Sequence, residues 1–336
     1  MSTQKSTIDR LIPVHPVMPR VTRPLTTALV RGGRPARRRP TGAVPTSRAV
    51  RAAFGVLEHQ PAVGGWLAER LWFRLPPRPA DQVRVDRTPA GGERFEVAWT
   101  GGTIRGRVYG DWGLPTAYLV HGWGGWWQQL SAHVQPLLER GMCVVAFDAP
   151  SHGASTAGRF GPRSTTFVEM AEALAAVVRD FGRPTLVLTH SAGAMAALLA
   201  LDSGSAPPEA LALIAPPTSV PPMMRLFAEA AGVGRRSREV MAGRAERRVG
   251  LPMDDLDLVA LASRQPSLPQ LLVAHDRDDR EAPLAGSVEL STAWHDARLL
   301  VTDGLGHRRI MRDPVVVRRV ADLGAEAAER VRRSSR

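Results

Sequence analysis

The chain has 336 residues, of which 44% are hydrophobic, and no apolar run approaches the ~18 residues of a membrane-spanning helix, which argues against a spanning segment. Its single cysteine, Cys143, excludes an intrachain disulfide. The net charge of +12 lies almost wholly in residues 1–80, which hold 14 Lys and Arg against 3 Asp and Glu, so the body of the protein is nearly neutral.

Residues 1–46 are basic and rich in proline and arginine, with RGGRPARRRP as the extreme run. They show no hydrophobic periodicity, so we predict a disordered extension. Prolines interrupt the apolar stretch LIPVHPVMP, which therefore lacks the core of a secretory signal, and we expect a cytoplasmic protein. The extension is either a solvated tail or an arm that associates weakly with a membrane surface. We expect no nucleic-acid partner.

Residues 47–80 have apolar side chains three and four residues apart, which predicts amphipathic helices. Pro61 and Gly64–Gly65 interrupt this pattern, so we predict that they separate two short helices. Arginines flank the aromatic residues of the segment. The segment can therefore pack on the rest of the protein or lie on a membrane surface, and both interpretations stay open.

Residues 92–330 alternate strand-like runs with helical patterns. RFEVAWT and TIRGRVYG flank Gly101–Gly102 and predict a hairpin. The later strand-like runs are TAYLVHG, MCVVAFD, TLVLTH, ALALIAP, QLLVAHD and ARLLVTDG. Continuous apolar strands that alternate with helices predict an α/β fold, with a mostly parallel central sheet covered by helices on both faces.

Two helical stretches stand out within this alternation. The first, Trp126 to Glu139, is predicted to be helical throughout. The second is the long connection between ALALIAP and QLLVAHD, residues 217–265, which has several short helical patterns and no convincing strand. We predict a short helical cap inserted between two strands, where it would influence which substrate enters.

The stretch LVLTHSAGAMAALL joins a buried strand directly to an alanine-rich helix, with Ser191 at the junction. Such a turn exposes its side chain and needs small neighbours, which Ala192 and Gly193 provide. The adjacent helix N-terminus favours negative charge, which suits a nucleophile whose attack creates an oxyanion. The nucleophile elbow usually reads G-x-S-x-G; here Thr189 replaces the first glycine, which predicts a slightly more open turn. A simple helix-capping role is the alternative for Ser191.

A nucleophilic serine needs a base, and the base needs an acid that orients it. His307 lies in a glycine-rich loop after the last strand-like run, and Asp279 follows the end of QLLVAHD. The chain order Ser191, Asp279, His307 is the order expected for serine hydrolases built on such a sheet, with all three at the carboxyl ends of parallel strands. Asp278 is a second candidate for the acid.

The segment LVHGWGGWW predicts an oxyanion hole, a pair of N–H groups that stabilise the charge formed during attack. The candidate donors are the backbone N–H groups of Trp123 and Ala192. Trp126 and Trp127 are candidate substrate-binding residues, with packing in the core as the alternative. The turn FDAPSHGAS contains an aspartate and a histidine that we expect to shape the pocket rather than react.

Five motifs, in order, resemble those of the α/β-hydrolase fold superfamily. HGWGG resembles its oxyanion turn, FDAPSHGAS the turn after the next strand, THSAG the elbow, HDRDDREAP the acid loop and GLGH the histidine loop. The resemblance implies a serine hydrolase of the esterase, lipase or serine aminopeptidase-like type, and it places the acid at Asp279. Asp276 stands where the acid loop of the family often has glycine.

We therefore expect hydrolysis of a carboxylic ester, a small-molecule acyl substrate, through an acyl-enzyme intermediate and without a cofactor. A serine aminopeptidase-like peptidase, an acyltransferase and a hydrolase-like binding module without catalysis are the alternatives. His275 and the acidic residues Asp276, Asp278 and Asp279 also permit a metal site, but no second cluster supports one, so we predict no metal.

Overall fold

The computed structural model describes residues 47–77 and 89–334, and an eight-stranded sheet lies at its centre. The strands are β1 (Glu93–Trp99), β2 (Gly102–Tyr109), β3 (Thr116–Val120), β4 (Cys143–Phe147), β5 (Leu186–His190), β6 (Ala210–Ile214), β7 (Gln270–Asp276) and β8 (Ala297–Thr302). Their order across the sheet is β1-β2-β4-β3-β5-β6-β7-β8. The predicted hairpin β1–β2 is antiparallel, β2 also pairs antiparallel with β4, and β3 to β8 run parallel. The predicted α/β fold with a mostly parallel sheet is confirmed.

Helices of the described ranges surround this sheet. They are α1 (Arg48–Leu57), α2 (Pro61–Trp72), α3 (Val134–Leu138), α4 (Phe167–Phe181), α5 (Gly193–Asp202), α6 (Val220–Ala231), α7 (Arg235–Val249), α8 (Leu258–Ser263), α9 (Leu284–Ala293), α10 (Gly306–Arg309) and α11 (Pro314–Ser334). Short 3-10 turns occur at Trp127–His133, Met253–Asp255 and Ile310–Arg312.

The central strands are buried along their whole length, as their continuous apolar sequences require. Every residue of β4, β5 and β6 is buried. Alternate residues point to opposite faces: Val145 packs in the cluster that contains α4 and α5, whereas Val144 and Ala146 pack in the cluster that contains α11. A parallel sheet covered on both faces therefore leaves only its strand ends open to a ligand.

Short polar side chains define where two of these helices begin. The hydroxyl of Thr166 accepts a hydrogen bond from the amide of Glu169 at 3.1 Å, at the start of α4. Asp313 Oδ1 accepts from the amides of Val315 and Val316 at 2.9 and 3.1 Å, at the start of α11. Pro314 follows this cap at the first helical position, where its fixed φ and missing N–H are tolerated.

The connection from β6 to β7 contains α6, α7 and α8, which occupy the stretch where we predict a helical cap. The preceding segment packs on this connection through α2 and α7. The carboxylate of Glu58, in the turn between α1 and α2, accepts hydrogen bonds from the amides of Arg236 and Ser237 at 2.8 and 3.3 Å. It thereby caps the N-terminus of α7, where the helix dipole favours a negative charge.

The prediction that Gly64–Gly65 separate two helices is wrong, because both glycines lie inside α2, which begins at Pro61. The glycines instead permit the close approach of α2 and α7. A Cβ atom on Gly64 would lie 2.5 Å from Ser237 Oγ, and one on Gly65 would lie 2.5 Å from Val240 Cβ. A side chain at either position would hold the helices apart.

Only the second half of the stretch Trp126 to Glu139, which we predict to be helical, forms an α-helix. Its first half is the 3-10 turn Trp127–His133, and α3 follows. Pro136 has no N–H group, so it cannot donate the bond to residue 132 that a continuous α-helix needs. The predicted extension 1–46 and residues 78–88 lie outside the described residues. Within the described ranges, no helix is both long and apolar enough to cross a membrane.

Candidate active site

Ser191 lies at the sharp turn between β5 and α5. Its φ of +50° is in the left-handed region, where a non-glycine residue is strained, and such strain is common at functional turns. Two glycines allow this turn to approach β3. A Cβ on Gly193 would lie 2.6 Å from the carbonyl oxygen of Val120, and one on Gly122 would lie 2.9 Å from Ser191 Cβ. These contacts force the backbone of the elbow against the end of β3.

Thr189 occupies the position that is usually glycine in the elbow motif. It is the fourth residue of β5, where it pairs with Val120 and Leu213 on the neighbouring strands. Its side chain is completely buried, and its hydroxyl has no hydrogen-bond partner among the described residues. The β-branched side chain is accommodated within the strand, and the positive φ falls on Ser191.

His307 and Asp279 meet at the carboxyl ends of β7 and β8. His307 lies in α10, 8% exposed, and its Nδ1 donates to Asp279 Oδ2 at 2.7 Å. The other carboxylate oxygen, Oδ1, accepts from the amides of Glu281 and Ala282 at 2.7 and 3.0 Å. Both oxygens of Asp279 are thus fixed. No hydrogen bond or ion pair links Asp278 to His307 in the described ranges, so the geometry favours Asp279 over Asp278.

His275 is a second imidazole beside Asp279. Its Nε2 lies 3.0 Å from the carbonyl oxygen of Ala282 and 3.3 Å from Asp279 Oδ2, and its Nδ1 lies 2.7 Å from Ser287 Oγ. Because both neighbours of Nε2 are acceptors, this nitrogen carries the proton. Burial alone would raise the pKa of Asp279, but hydrogen bonds from His275 and His307 outweigh it and hold that pKa well below its usual value. Asp279 is therefore an anion in the folded protein.

Asp276 ties the loop that holds Asp279 to the loop that holds His307. Its Oδ1 accepts from the amides of Asp278 and Gly306 at 3.0 and 2.8 Å. Its Oδ2 accepts from Thr302 Oγ1 at 2.7 Å and from the amide of Leu305 at 3.0 Å. Burial raises the pKa of Asp276, but these four donors outweigh it and lower the pKa. The replacement of the usual glycine by aspartate thus has a structural role.

His190, directly before Ser191, contacts the loop that holds His307. Its Nε2 donates to the carbonyl oxygen of His307 at 2.9 Å, and the two rings lie 4.8 Å apart. Its Nδ1 is buried and has no hydrogen-bond partner among the described residues. Burial, followed by the charge of His307, lowers the pKa of His190 to about 3, so the ring is neutral at physiological pH. Nothing local in the sequence indicates this contact between His190 and the loop of His307.

The amides of Trp123 and Ala192, predicted to form an oxyanion hole, flank the serine. Neither makes a hydrogen bond within the part of the chain that the structure describes. Two buried histidines fix the loop that bears Trp123. His152 Nε2 accepts from the amide of Gly124 at 2.9 Å, and His121 Nδ1 donates to the carbonyl oxygen of Gly122 at 2.8 Å. The loop is therefore held by side chains rather than by secondary structure.

Asp148 holds the neighbouring turn, as we expect from the sequence. Its Oδ1 accepts from the amide of Trp127 at 2.9 Å, and its Oδ2 accepts from the amide of Ala154 at 2.7 Å. A Cβ on Gly153 would overlap the carboxylate of Asp148, which explains why this turn needs glycine. Asp148 and His152 therefore fix the pocket without facing Ser191.

Among the described residues, Ser191 lines an apolar cavity and a second cavity that also contains His307. The apolar cavity, of about 190 Å³, is lined by Trp123, Ala192 and Pro217 together with apolar residues of α2 and α6, which are Leu71, Trp72, Met223, Leu226 and Phe227. The histidine cavity, of about 390 Å³, is lined by His307, Arg308 and Met311 beside the loop of Trp123. Glu281 lines both cavities, and its Oε2 lies 3.9 Å from His307 Nε2. Ser191 and His307 thus face the same space.

The positions of Trp126 and Trp127 do not support their predicted contact with substrate. Neither lines the two cavities. Trp127 is 3% exposed and packs beside Tyr109 in the core cluster of the opposite sheet face, with their ring centroids 6.1 Å apart. The 3-10 turn that begins at Trp127 directs this side chain inward. Of the three tryptophans in the segment LVHGWGGWW, Trp123 lines both cavities.

Sequence reasoning missed the walls of the apolar cavity. Leu71 and Trp72 come from α2 and Phe227 comes from α6, and the rings of Trp72 and Phe227 lie 5.3 Å apart. The apolar periodicity of α2 was visible in the sequence, but nothing local indicates which surface it covers. Within residues 47–77 and 89–334, no group of three or more His, Cys, Asp and Glu side chains is arranged to hold a metal ion.

Comparison with solved structures supports the fold at low sequence identity. An esterase of Exiguobacterium antarcticum superposes with a TM-score of 0.51 and 16% identity, over 70% of this chain and 98% of that chain. An esterase of Pyrococcus furiosus gives 0.53 and 18%, over 77% and 97%. A membrane phospholipase A gives 0.53 and 19%, over 84% and 96%. No curated protein matches the chain in sequence. The model of the alpha/beta hydrolase family matches residues 117–323, which is more than half of the chain, and the chain therefore belongs to that family.

Proposed function

We propose that this protein is a serine hydrolase that cleaves carboxylic esters through Ser191, His307 and Asp279. One observation carries the proposal. A serine with a left-handed backbone at a strand-to-helix turn shares a cavity with a buried histidine, and an aspartate binds the far nitrogen of that histidine at 2.7 Å. This is the arrangement that converts a weak hydroxyl nucleophile into a reactive one.

In the proposed reaction, His307 Nε2 accepts the proton of Ser191 as Oγ attacks the ester carbonyl. Asp279 holds Nδ1–H and stabilises the imidazolium that forms. The amides of Trp123 and Ala192 stabilise the oxyanion of the tetrahedral intermediate. His307 then protonates the leaving alcohol, which leaves an acyl-enzyme. Water, deprotonated by His307, attacks the acyl-enzyme, releases the carboxylic acid and restores Ser191.

The walls of the apolar cavity favour an acyl group as its occupant. Leu71, Leu226 and Phe227 offer apolar surface and no hydrogen-bond donor, which suits an alkyl chain better than the charged amine of a peptide. The esterases among the similar structures agree with this choice, although they share only the fold. The aminopeptidase-like and acyltransferase activities would use the same three residues. A cytoplasmic location stays a prediction.

The test is the hydrolysis of p-nitrophenyl esters of increasing acyl length by purified wild type and the Ser191→Ala variant. Ser203→Ala, at an exposed position after α5, is the matched control. We expect kcat/KM to fall at least about 10³-fold in Ser191→Ala and to stay unchanged in the control. Turnover that survives Ser191→Ala would contradict the role of Ser191 as nucleophile, whereas a wild type without turnover of any ester would favour a binding module.

A further inference from the structure

A large cationic cleft lies beside the apolar cavity, between α2, the loop that follows β4 and α7. We call it the arginine cleft. Its volume is about 820 Å³, and its lining includes Glu69, Phe160 and Ser164. Six arginines line it, which are Arg70, Arg74, Arg163, Arg244, Arg247 and Arg248. With Glu69 as the acidic residue of the lining, the cleft carries an excess of five positive charges.

Glu69 neutralises only the inner end of the cleft. Its buried carboxylate lies 2.6 Å from Arg248 Nη1 and 3.8 Å from Arg244 Nε. Arg74, Arg163 and Arg247 are exposed at the outer end, and no acidic side chain pairs with them among the described residues. Like charges at this density repel one another, so an anion bound between them would stabilise the folded protein.

The inner guanidinium groups are fixed in place before any ligand binds. Arg248 lies over the rings of Phe73 and Phe160, at 4.7 and 4.3 Å, and its Nη2 donates to Ser164 Oγ at 3.0 Å. The Nε atoms of Arg244 and Arg248 are buried and have no hydrogen-bond partner among the described residues. Because Arg248 already binds Glu69 and Ser164, the planar donors open to the oxygens of a phosphate group are the exposed guanidinium groups of Arg74, Arg163 and Arg247.

The arginine cleft and the apolar cavity adjoin each other just after α2. Arg74 lines both, Arg70 lines the cleft, and Leu71 and Trp72 line the apolar cavity. An isolated bridge between Arg74 and Ser164 fixes the chain at the boundary. A ligand that passes Arg74 would have an apolar part beside Ser191 and an anionic part among the arginines.

The charges beside Ser191 are balanced, unlike those of the arginine cleft. Glu281 lines both cavities that contain Ser191, and its carboxylate lies 3.2 Å from Arg308 Nε, which lines the histidine cavity. The excess of positive charge is therefore concentrated in the arginine cleft, which favours a substrate whose negative groups are separated from its acyl group.

We propose that the arginine cleft binds the phosphate of an acyl ester or thioester whose leaving group is phosphorylated, with the acyl chain in the apolar cavity. The proposal rests on the proposed function of Ser191 and adds the substrate class. The phosphate group of a lipid headgroup and that of a soluble thioester carrier offer the same chemistry. The experiment below separates these sources.

Two matched substrate pairs test the proposal. The first is octanoyl-coenzyme A against the octanoyl thioester of N-acetylcysteamine, which has the same acyl group and sulfur but no phosphate. The second is a lysophosphatidic acid against the monoacylglycerol with the same acyl chain. We expect kcat/KM of the phosphorylated member to exceed that of the neutral member by about tenfold or more in at least one pair. The pair that shows the preference identifies the source.

Variants of the cleft connect the preference to the arginines. In the double variant Arg163→Glu/Arg247→Glu, the ratio of kcat/KM for the phosphorylated member over that for the neutral member should fall by about tenfold or more. Arg94→Glu/Arg319→Glu makes the same change of charge at exposed positions on β1 and α11 and should leave the ratio as in wild type. If the double variant does not fold, Arg247→Gln replaces it. Equal kcat/KM within both pairs, or a ratio that the cleft variant does not change, would overturn the proposal.

A binding measurement separates this proposal from the function of Ser191. Inorganic pyrophosphate is titrated by calorimetry into Ser191→Ala, which keeps the cleft, and into the cleft variant. We expect saturable binding that the cleft variant weakens about tenfold or more. If pyrophosphate binds but the wild type turns over no substrate, the proposed hydrolase function is refuted and the proposed anion site in the arginine cleft stands. Turnover of neutral esters without pyrophosphate binding would refute the cleft and keep the hydrolase.

Discussion

The two sides of the cavity at Ser191 are built in different ways. On the sheet side, loops at the carboxyl ends of β5, β7 and β8 hold the three proposed catalytic residues, and buried carboxylates and imidazoles fix these loops through hydrogen bonds. On the helical side, α2 and α6 supply apolar walls, and close packing between α2 and α7 fixes them. We therefore expect that substitutions on the sheet side alter kcat, whereas substitutions on the helical side alter substrate selectivity and the stability of the fold.

The largest expected effect is on the sheet side, at the acid. Asp279→Asn keeps the shape of the side chain but removes the charge that holds Nδ1–H of His307, so the ring loses the correct tautomer. We expect kcat for a p-nitrophenyl ester to fall about 10³- to 10⁴-fold. Asp278→Asn is the matched control and should change kcat less than about twofold. If only Asp278→Asn abolishes turnover, the assignment of the acid is wrong.

The next largest effect tests whether Asp276 holds the loop of Asp279 and the loop of His307 in place. Asp276→Asn removes one acceptor oxygen from the side chain that binds Gly306, Leu305 and Thr302. The loop of His307 should shift, and a misplacement of about 1 Å costs about 10²-fold in rate, so we expect kcat to fall between about tenfold and 10²-fold. Asp303→Asn, at an exposed residue that pairs with Arg277, serves as the control. An unchanged kcat in Asp276→Asn would show that the loop keeps its position without this carboxylate.

A third prediction concerns the packing of the helical side. Gly65→Ala places a methyl group against Val240, where a Cβ would lie 2.5 Å from its Cβ atom. We expect a loss of about 1–3 kcal/mol in the free energy of unfolding, measured with urea. Gly55→Ala in α1 is the control, because a Cβ there meets no atom within 4 Å and alanine favours the helix by about 1 kcal/mol. Similar effects of the two variants would contradict the close docking of α2 on α7.

The smallest expected effect is a change of acyl preference without loss of chemistry. Leu226, 46% exposed, lines the apolar cavity from α6. In Leu226→Ala the long acyl chain loses apolar contact, so the ratio of kcat/KM for octanoyl over butyryl ester should fall about fivefold. Trp126→Phe, outside both cavities, should leave the ratio unchanged. A change of ratio in Trp126→Phe would restore that tryptophan as a substrate-binding residue.

The sheet side could be predicted from the sequence because its signals are local. Apolar runs predict the strands, and a serine between small residues predicts a turn at Ser191. Asp279 and His307 each follow the end of a strand, and the carboxyl ends of parallel strands lie at the same edge of the sheet. The sequence therefore predicts that these two residues lie at the same edge as Ser191. The resemblance of the acid loop places the acid at Asp279, and the hydrogen bond between Asp279 and His307 supports this choice over Asp278.

The helical side could not be predicted in the same way. The period of α2 indicates an apolar stripe, but the helix that α2 packs against, α7, lies about 175 residues later in the chain, as the approach of Gly65 to Val240 shows. Gly64 and Gly65 were interpreted as helix breakers because glycine has a low helix propensity, whereas tertiary packing decides their place. The contacts of Asp276 and His190 with the loop of His307 are likewise invisible to local patterns.

The most direct test of the account is to identify the residue that reacts with a fluorophosphonate probe. Intact protein is labelled, digested and analysed by mass spectrometry, in wild type, Ser191→Ala and Ser203→Ala. We expect one adduct on the peptide that contains Ser191, present in wild type and Ser203→Ala and absent from Ser191→Ala. Labelling that survives in Ser191→Ala, or wild type that remains unlabelled, would contradict the claim that Ser191 is the nucleophile.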